Sequence, residues 1–283
     1  MESAYTRAPA KLNLTLEVGN KRDDGYHLIS SVMVHVSLFD EISITKSTNG
    51  IEFESNTEYL KNDDKNLCVL AAKRYFEYSG VSSDGVRIKL KKVIPSKSGM
   101  GGGSADAAAV IELLERLFVK LDDLKKLELG MGLGADVPFC MTQTPAFCQG
   151  IGEIITPVKL CKKKIYVVVA KNSTKPSTSF VYSEFDKNPV QFGGSHADVI
   201  KALEMGNFNL FSSMFNSFED VIFPSYPQVK LLSDKMREYG ALYSRMTGAG
   251  PTVFGLFEDK LTAQKALFRL REEQILSYMA YII

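Results

Sequence analysis

The sequence contains no tryptophan and only three histidines in 283 residues. Its four cysteines, Cys68, Cys140, Cys148 and Cys161, form no Cys-x-x-Cys pair. Ligands so few and so scattered exclude a zinc cluster of the usual spacing. The cysteines read as small buried hydrophobes in a reducing compartment. No apolar run approaches the ~18 residues of a membrane span, and MESAYTRAPAKLNL lacks the apolar core of a signal peptide. An excess of one charge is also missing. Lys plus Arg number 34 against 33 Asp plus Glu, a formal net charge of +1. That balance removes the basic surplus expected of a nucleic-acid binder. The expectation is a cytoplasmic protein with neither membrane nor nucleic-acid partner.

What is present is ordinary globular material, 45% hydrophobic and long enough for two domains. In KLNLTLEV, Leu12, Leu14, Leu16 and Val18 alternate with Lys11, Asn13, Thr15 and Glu17. This predicts a half-buried strand with lysine and asparagine on the other face. RDDGYH reads as a turn, and SVMVHVSLFDEISITK as one long strand or two broken ones. Val86, Ile88 and Leu90 mark another strand, and a helix is expected near Asn66 to Tyr78. Ala107, Val110, Ile111, Leu114, Leu117 and Phe118 recur at helical spacing and predict a helix from Ser104 to Phe118. A shorter helix is expected over Asp122 to Leu129. A Gly/Pro/Thr-rich connection follows at Met141 to Pro157, then a strand at Ile165 to Ala170. Near the end come a helix from Gln228 to Tyr239 and a strand from Thr252 to Phe257. Strands and helices out of strict βαβ order suggest an α+β fold, with domains at 1–155 and 156–283.

The chemistry concentrates in KVIPSKSGMGGGSADAAAV, where a strand and Pro95 lead through glycines into a helix. A helix start offers unpaired N–H groups and the positive end of the dipole. Gly101, Gly102 and Gly103 leave no side chain in an anion's way. Ser104 suits a helix cap or a phosphate-bound magnesium, and Asp106 suits the dipole or the metal. A tight structural turn is the competing reading. The loop is no Walker A site, since no Gly-Lys-Ser/Thr closes it and Lys97 precedes the glycines. A dinucleotide fingerprint and a protein-kinase set are absent too.

Asp136 in GLGADVPFC reads as a turn residue or as the base for a hydroxyl attacking a γ-phosphate. Lys11 is a surface lysine or the charge that assists it. RMTGAGPTVFGLF brings Gly248 and Gly250 to a strand entrance. Tyr26 and His27 stand at a turn, where an aromatic and an imidazole suit a nucleobase.

Together PAKLNLTLEV…DDGYHLISSVM (Pro9 to Met33), IPSKSGMGGGSADAA (Ile94 to Ala108), LGADVPF (Leu133 to Phe139) and MTGAGPTVFGLF (Met246 to Phe257) resemble the GHMP small-molecule kinases over nearly the whole chain. The resemblance implies an N-terminal domain like ribosomal protein S5 domain 2 and a C-terminal ferredoxin-like domain. It implies ATP and Mg2+ as cofactors, with Lys11 and Asp136 as the catalytic pair. Asn66, whose local alternative is the N-cap of the helix that follows, Pro95, Ser96, Lys97, Ser98, Gly99, Met100, Gly101, Gly102, Gly103, Ser104 and Ala105 would hold ATP, with Ser104 also at the metal. Asn13, Tyr26, His27, Ser177 and Thr178 would hold a cytidylated sugar-alcohol substrate, on a monomer or weak homodimer. Met100, Ala105 and the Ser96-Lys97 pair depart from the family's usual loop, Asn172 replaces a proline, and FNSFE (Phe215 to Glu219) stands in for NDLE. Two alternatives stay open on the residues: a GHMP kinase for mevalonate, phosphomevalonate or homoserine, and a non-catalytic nucleotide- or RNA-associated protein on an S5-like fold.

Overall fold

The computed structural model describes residues 2–82, 85–173, 177–187, 189 and 193–283. Strands β1 (Ser3–Asn13), β2 (Thr15–Lys21), β3 (His27–Lys46) and β4 (Gly50–Ser55) precede helix α1 (Leu67–Ser79). Strand β5 (Gly85–Lys91) then leads to α2 (Gly102–Leu117), α3 (Asp123–Leu133) and the single turn α4 (Val137–Cys140). There follow β6 (Ala146–Gly150), β7 (Ile154–Pro157), β8 (Tyr166–Lys171), α5 (Thr178–Phe185), α6 (His196–Met205) and β9 (Phe215–Asn216). The chain ends with α7 (Glu219–Ser225), α8 (Pro227–Glu238), β10 (Tyr243–Met246), β11 (Val253–Phe257), α9 (Lys260–Glu272) and β12 (Leu276–Tyr281). Two compact units interleave along it. The first holds Met1–Ala10, Phe39–Ser96 and Gly101–Gln143, and the second Lys11–Leu38, Lys97–Met100 and Thr144–Ile283.

In the first unit the far half of β3 pairs antiparallel with β5, which pairs parallel with β4. Ile42, Ile44, Val86, Ile88 and Leu90 alternate along these strands and bury one face against α1 and α2. Small residues on α2 (Ala107, Ala108 and Ala109) belong to that core and admit close packing.

In the second unit β2 pairs antiparallel with the near half of β3, and β9 joins β2 in parallel. A separate antiparallel sheet has the order β10-β11-β8-β12. Its buried residues, among them Val168, Ala170, Val253 and Phe257, pack with Val229, Leu232, Met236, Ala263, Ala266 and Leu270 of α8 and α9.

Several expectations shift. The KLNLTLEV strand is two strands, and three of its four polar positions are buried, Lys11 at 4% exposed, Asn13 at 2% and Thr15 at 0%, while Glu17 is exposed. The connection at Met141 to Pro157 contains the β6–β7 hairpin, whose strands are too short and glycine-bounded to show a clear period. Helix α9 and strand β12 complete the C-terminal sheet and had no counterpart in the sequence reading. All four cysteines are free thiols, with Cys68 and Cys148 buried. Among the described residues, no helix is long and apolar enough to cross a membrane.

Candidate active site

In the second unit, Lys97 to Met100 lie against the glycine turn that follows β10. Gly99 has φ +78°, and a Cβ there would stand 2.4 Å from the Thr247 carbonyl oxygen. Glycine at 99 therefore serves a backbone-to-backbone contact. The Ser98 hydroxyl accepts from Met100 N–H at 3.3 Å, and the Met100 carbonyl accepts from Lys11 N–H at 3.0 Å. Lys11 Nζ donates to Asn13 Oδ1 at 2.7 Å, while Asn13 Nδ2 donates to Ser31 Oγ at 2.8 Å. Asn13 N–H donates to Thr247 Oγ1 at 3.0 Å. Lys11, Asn13 and the loop carbonyl thus form one buried polar cluster. Lys97 adopts φ +50°, and its carbonyl accepts from Lys171 Nζ at 3.3 Å. Burial and the neighbouring Lys97 charge lower the Lys171 ammonium below its ordinary range.

Residues of FNSFE hold that glycine turn, which the sequence did not reveal. Asn216 Nδ2 donates to the Met246 and Gly248 carbonyls at 2.8 and 2.9 Å, and Glu219 Oε1 accepts from Met246 N–H at 2.7 Å. Burial pushes the Glu219 carboxyl up to about 7, against the pull of Arg245 and the Met246 N–H.

The hairpin tip between β2 and β3 presents Tyr26, 57% exposed, with its N–H on Asp24 Oδ1 at 3.1 Å. His27 is buried, its Nε2 2.6 Å from Asp186 Oδ1 and its ring stacked on Tyr182 at 4.8 Å. Burial raises the Asp186 carboxyl, but hydrogen bonds from His27 and Lys21 outweigh it and hold the group below the usual range. Ser177 caps α5, accepting from Phe180 N–H at 3.1 Å, and exposed Thr178 opens that helix.

In the first unit α2 starts at Gly102, two residues before the expected start. Its N-cap is Gly101, in the left-handed region at φ +68°, and no side chain caps the helix. Ser104 lies inside the first turn, half-buried, so its hydroxyl is not the cap. Gly103 is exposed, whereas a Cβ on Gly102 would meet Ile94 Cγ2 at 3.1 Å and Lys92 Nζ at 3.2 Å. Pro95 is half-buried, Ser96 exposed and Ala105 buried. Asn66 caps α1 through Cys68 N–H at 3.0 Å and donates to the Lys61 carbonyl at 2.9 Å. Asp136 opens α4 half-buried, and its carboxylate makes no capping hydrogen bond to that turn.

Asp106 departs from its sequence reading. It is 2% exposed and its Oδ2 accepts from Lys92 Nζ at 2.6 Å. Its Oδ1 is sealed from solvent without a hydrogen-bond partner. Burial pushes this carboxyl up to about 8, Lys92 opposing and Asp40 adding to the rise. A sealed oxygen does not reach a phosphate-bound metal.

Nucleotide and metal fit what remains. The uncapped N–H groups at the start of α2 suit a triphosphate. Among the described residues no group of three His, Cys, Asp or Glu side chains forms a metal cage. The Ser104 hydroxyl lies in the first turn of α2, and Mg2+ carried by nucleotide phosphates would ask few ligands of the protein, because it keeps several waters.

Comparison with known proteins accords with this chemistry. A family model for the GHMP kinases N terminal domain matches residues 66–144, and one for GHMP kinases C terminal matches residues 199–275. A 4-diphosphocytidyl-2-C-methyl-D-erythritol kinase of Clostridium botulinum (strain Alaska E43 / Type E3) is 39% identical over 271 residues, covering 95% of this chain and 96% of the relative. The kinase of the same name from Caldicellulosiruptor saccharolyticus is 41% identical over 268 residues, 94% of this chain and 92% of its own. A crystal structure of a 4-(cytidine 5'-diphospho)-2C-methyl-D-erythritol kinase matches with a TM-score of 0.86 at 32% identity, covering 99% of both chains.

Proposed function

The chain belongs to the GHMP kinase family, among its 4-diphosphocytidyl-2-C-methyl-D-erythritol kinases, and from that premise we propose that it phosphorylates the 2-hydroxyl of 4-(cytidine 5'-diphospho)-2-C-methyl-D-erythritol with ATP, a step of non-mevalonate isoprenoid precursor synthesis. The observation that carries the phosphoryl-transfer half is the uncapped start of α2 beyond the glycine loop. Phosphoryl transfer asks a protein for alignment and charge stabilisation more than for covalent chemistry.

In this reading the N–H groups of Gly102 to Ser104 receive phosphate oxygens, and the loop from Pro95 to Ala105 wraps them. Asn66 borders the ATP base. Ser104 would hold Mg2+, which when bound neutralises charge on the phosphates. Asp136 accepts the proton of the attacking hydroxyl. Lys11 offsets negative charge on the attacking oxygen, oriented by its bond to Asn13. Tyr26 stacks on the cytosine and His27 reads its edge. Asp186 fixes Nε2 of His27 as the protonated nitrogen, which leaves Nδ1 for the base. Ser177 and Thr178 supply polar contacts at the start of α5.

We assign residues 1–155 and 156–283 to two kinase domains, with the family models matching on either side of that division. The sheet order β12-β8-β11-β10, with helices between β8 and β10 and between β11 and β12, supports a ferredoxin-like C-terminal domain.

The test is ADP release with the cytidylated alcohol, mevalonate or homoserine as acceptor. The cytidylated alcohol is expected to be strongly preferred, and equal rates would defeat the substrate assignment. Asp136→Ala should lose turnover by at least ~100-fold while still binding ATP. Normal turnover in that variant would remove Asp136 from the role of base.

A further inference from the structure

Lys92 has no part in the roles above, yet it joins two buried carboxylates in the first unit. Its side chain is 7% exposed and lies between Asp40 and Asp106, whose side chains are 0% and 3% exposed. Asp40 Oδ2 and Asp106 Oδ2 both accept from Nζ. Asp40 Oδ1 takes the N–H groups of Val93 at 2.5 Å and Ile94 at 2.9 Å. One ammonium therefore ties three segments together: β3, the chain leaving β5, and the second turn of α2.

An apolar trio of similar volume would serve stability as well, since burying charges costs several kcal/mol per ion before pairing repays it. What an ion cluster adds is direction. A Cβ on Gly102 would stand 3.1 Å from Ile94 Cγ2 and 3.2 Å from Lys92 Nζ, so the start of α2 packs closely over both. Sliding α2 by one residue would shift it by about 1.5 Å and turn it by about 100°, breaking the Lys92–Asp106 bond.

We propose that the Asp40–Lys92–Asp106 clamp is a positioning device for the nucleotide, fixing the axial position and rotation of α2 so that the N–H groups of Gly102 to Ser104 meet the triphosphate. Lys92 and Asp106 are positioning residues, acting through the helix. The inference rests on the ATP reading of the glycine loop.

The test uses Asp106→Leu in the full-length protein, which leaves Lys92 paired with Asp40 and strands no buried charge. Because misplacing reacting groups by about 1 Å is costly, the KM for ATP is expected to rise by about tenfold or more. The KM for the cytidylated alcohol should stay within about twofold. Asp106→Asn, whose amide oxygen still accepts from Lys92, should bring the ATP value back to within about threefold of the native one. Asp106→Ala adds no bulk and carries the same expectation as the leucine variant, should that one fail to fold. Calorimetric binding of a non-hydrolysable ATP analogue, without any acceptor, reads the clamp independently of the acceptor's identity. A native protein that binds the analogue but phosphorylates none of the acceptors would overturn the kinase reading and leave the clamp standing. Unchanged analogue affinity in both the leucine and alanine variants would overturn the clamp. So would a parallel rise in both KM values with no recovery in Asp106→Asn.

Discussion

Two alanine substitutions in the glycine loop should fail in opposite ways. Gly99 sits at φ +78°, and its Cβ would stand 2.4 Å from the Thr247 oxygen and 3.2 Å from that of Gly250. The left-handed backbone costs an alanine about 1–2 kcal/mol, and relieving a contact with backbone that cannot rotate away adds about as much. Gly99→Ala should therefore lose roughly 3 kcal/mol. In a chain of this size that is a fall in Tm on the order of 6–10 °C. Gly103 is helical and exposed, and its Cβ would meet only Leu67 Cδ1, at an ordinary 3.4 Å. Gly103→Ala should keep or gain up to about 1 kcal/mol, because alanine suits a helix better than glycine. If phosphate sits on the N–H groups there, the new methyl should raise the KM for ATP about tenfold, a loss of about 1.4 kcal/mol in binding. Thermal melts and initial rates at varied ATP, run on both variants, decide the matter. A Gly99→Ala protein of native Tm would refute the close-approach argument. A Gly103→Ala protein of native Tm and native KM would refute the placement of phosphate at the start of α2.

Glu219 has a folded pKa of about 7 against an unfolded value of 4.5, so the native state holds its proton more tightly. Its stabilising contribution is complete below pH 4.5 and is lost as pH rises through 7, a fall of up to about 3 kcal/mol. Arg245 and Arg237 oppose this rise and Asp220 adds to it. Glu219→Gln should flatten the dependence of stability on pH between 4 and 8, and parallel curves for native and variant would contradict the argument. Asn216→Ala removes donors to two buried carbonyls and the acceptor of Phe218 N–H at 2.9 Å. It should cost about 2–4 kcal/mol in urea unfolding, and a cost below about 1 kcal/mol would show that the glycine turn does not depend on it.

The legible part of this protein was its local physics. Helical spacing located α1, α2 and α8 to within a residue or two, because an apolar stripe must repeat every three or four residues to reach a core. Alternation located β5, and short apolar runs located β8 and β11. The order strand, proline, glycines, helix sufficed to expect a helix start just after the glycines, and α2 begins at Gly102 with no side-chain cap. Short strands were missed: β6 and β7 have too few residues for a period to emerge, and they exist because β3 offers β6 an edge.

Tertiary structure decided what each polar side chain is for. Lys11 and Asn13 looked like the wet face of a strand, and are buried because Ser31 and Thr247 answer Asn13, the latter from 234 residues away. Asn66 is a helix cap in the fold, and Asp106, which suited the helix dipole on paper, is bound to a lysine that no motif singled out. The loop glycines look alike in sequence and differ in cause. Gly99 admits a neighbouring carbonyl, Gly102 admits Lys92 and Ile94, and Gly103 has ordinary space around it. Residue type and spacing determine which groups a segment can offer; only the folded chain determines which of them already have partners, because those partners are distant in sequence and nothing local encodes them.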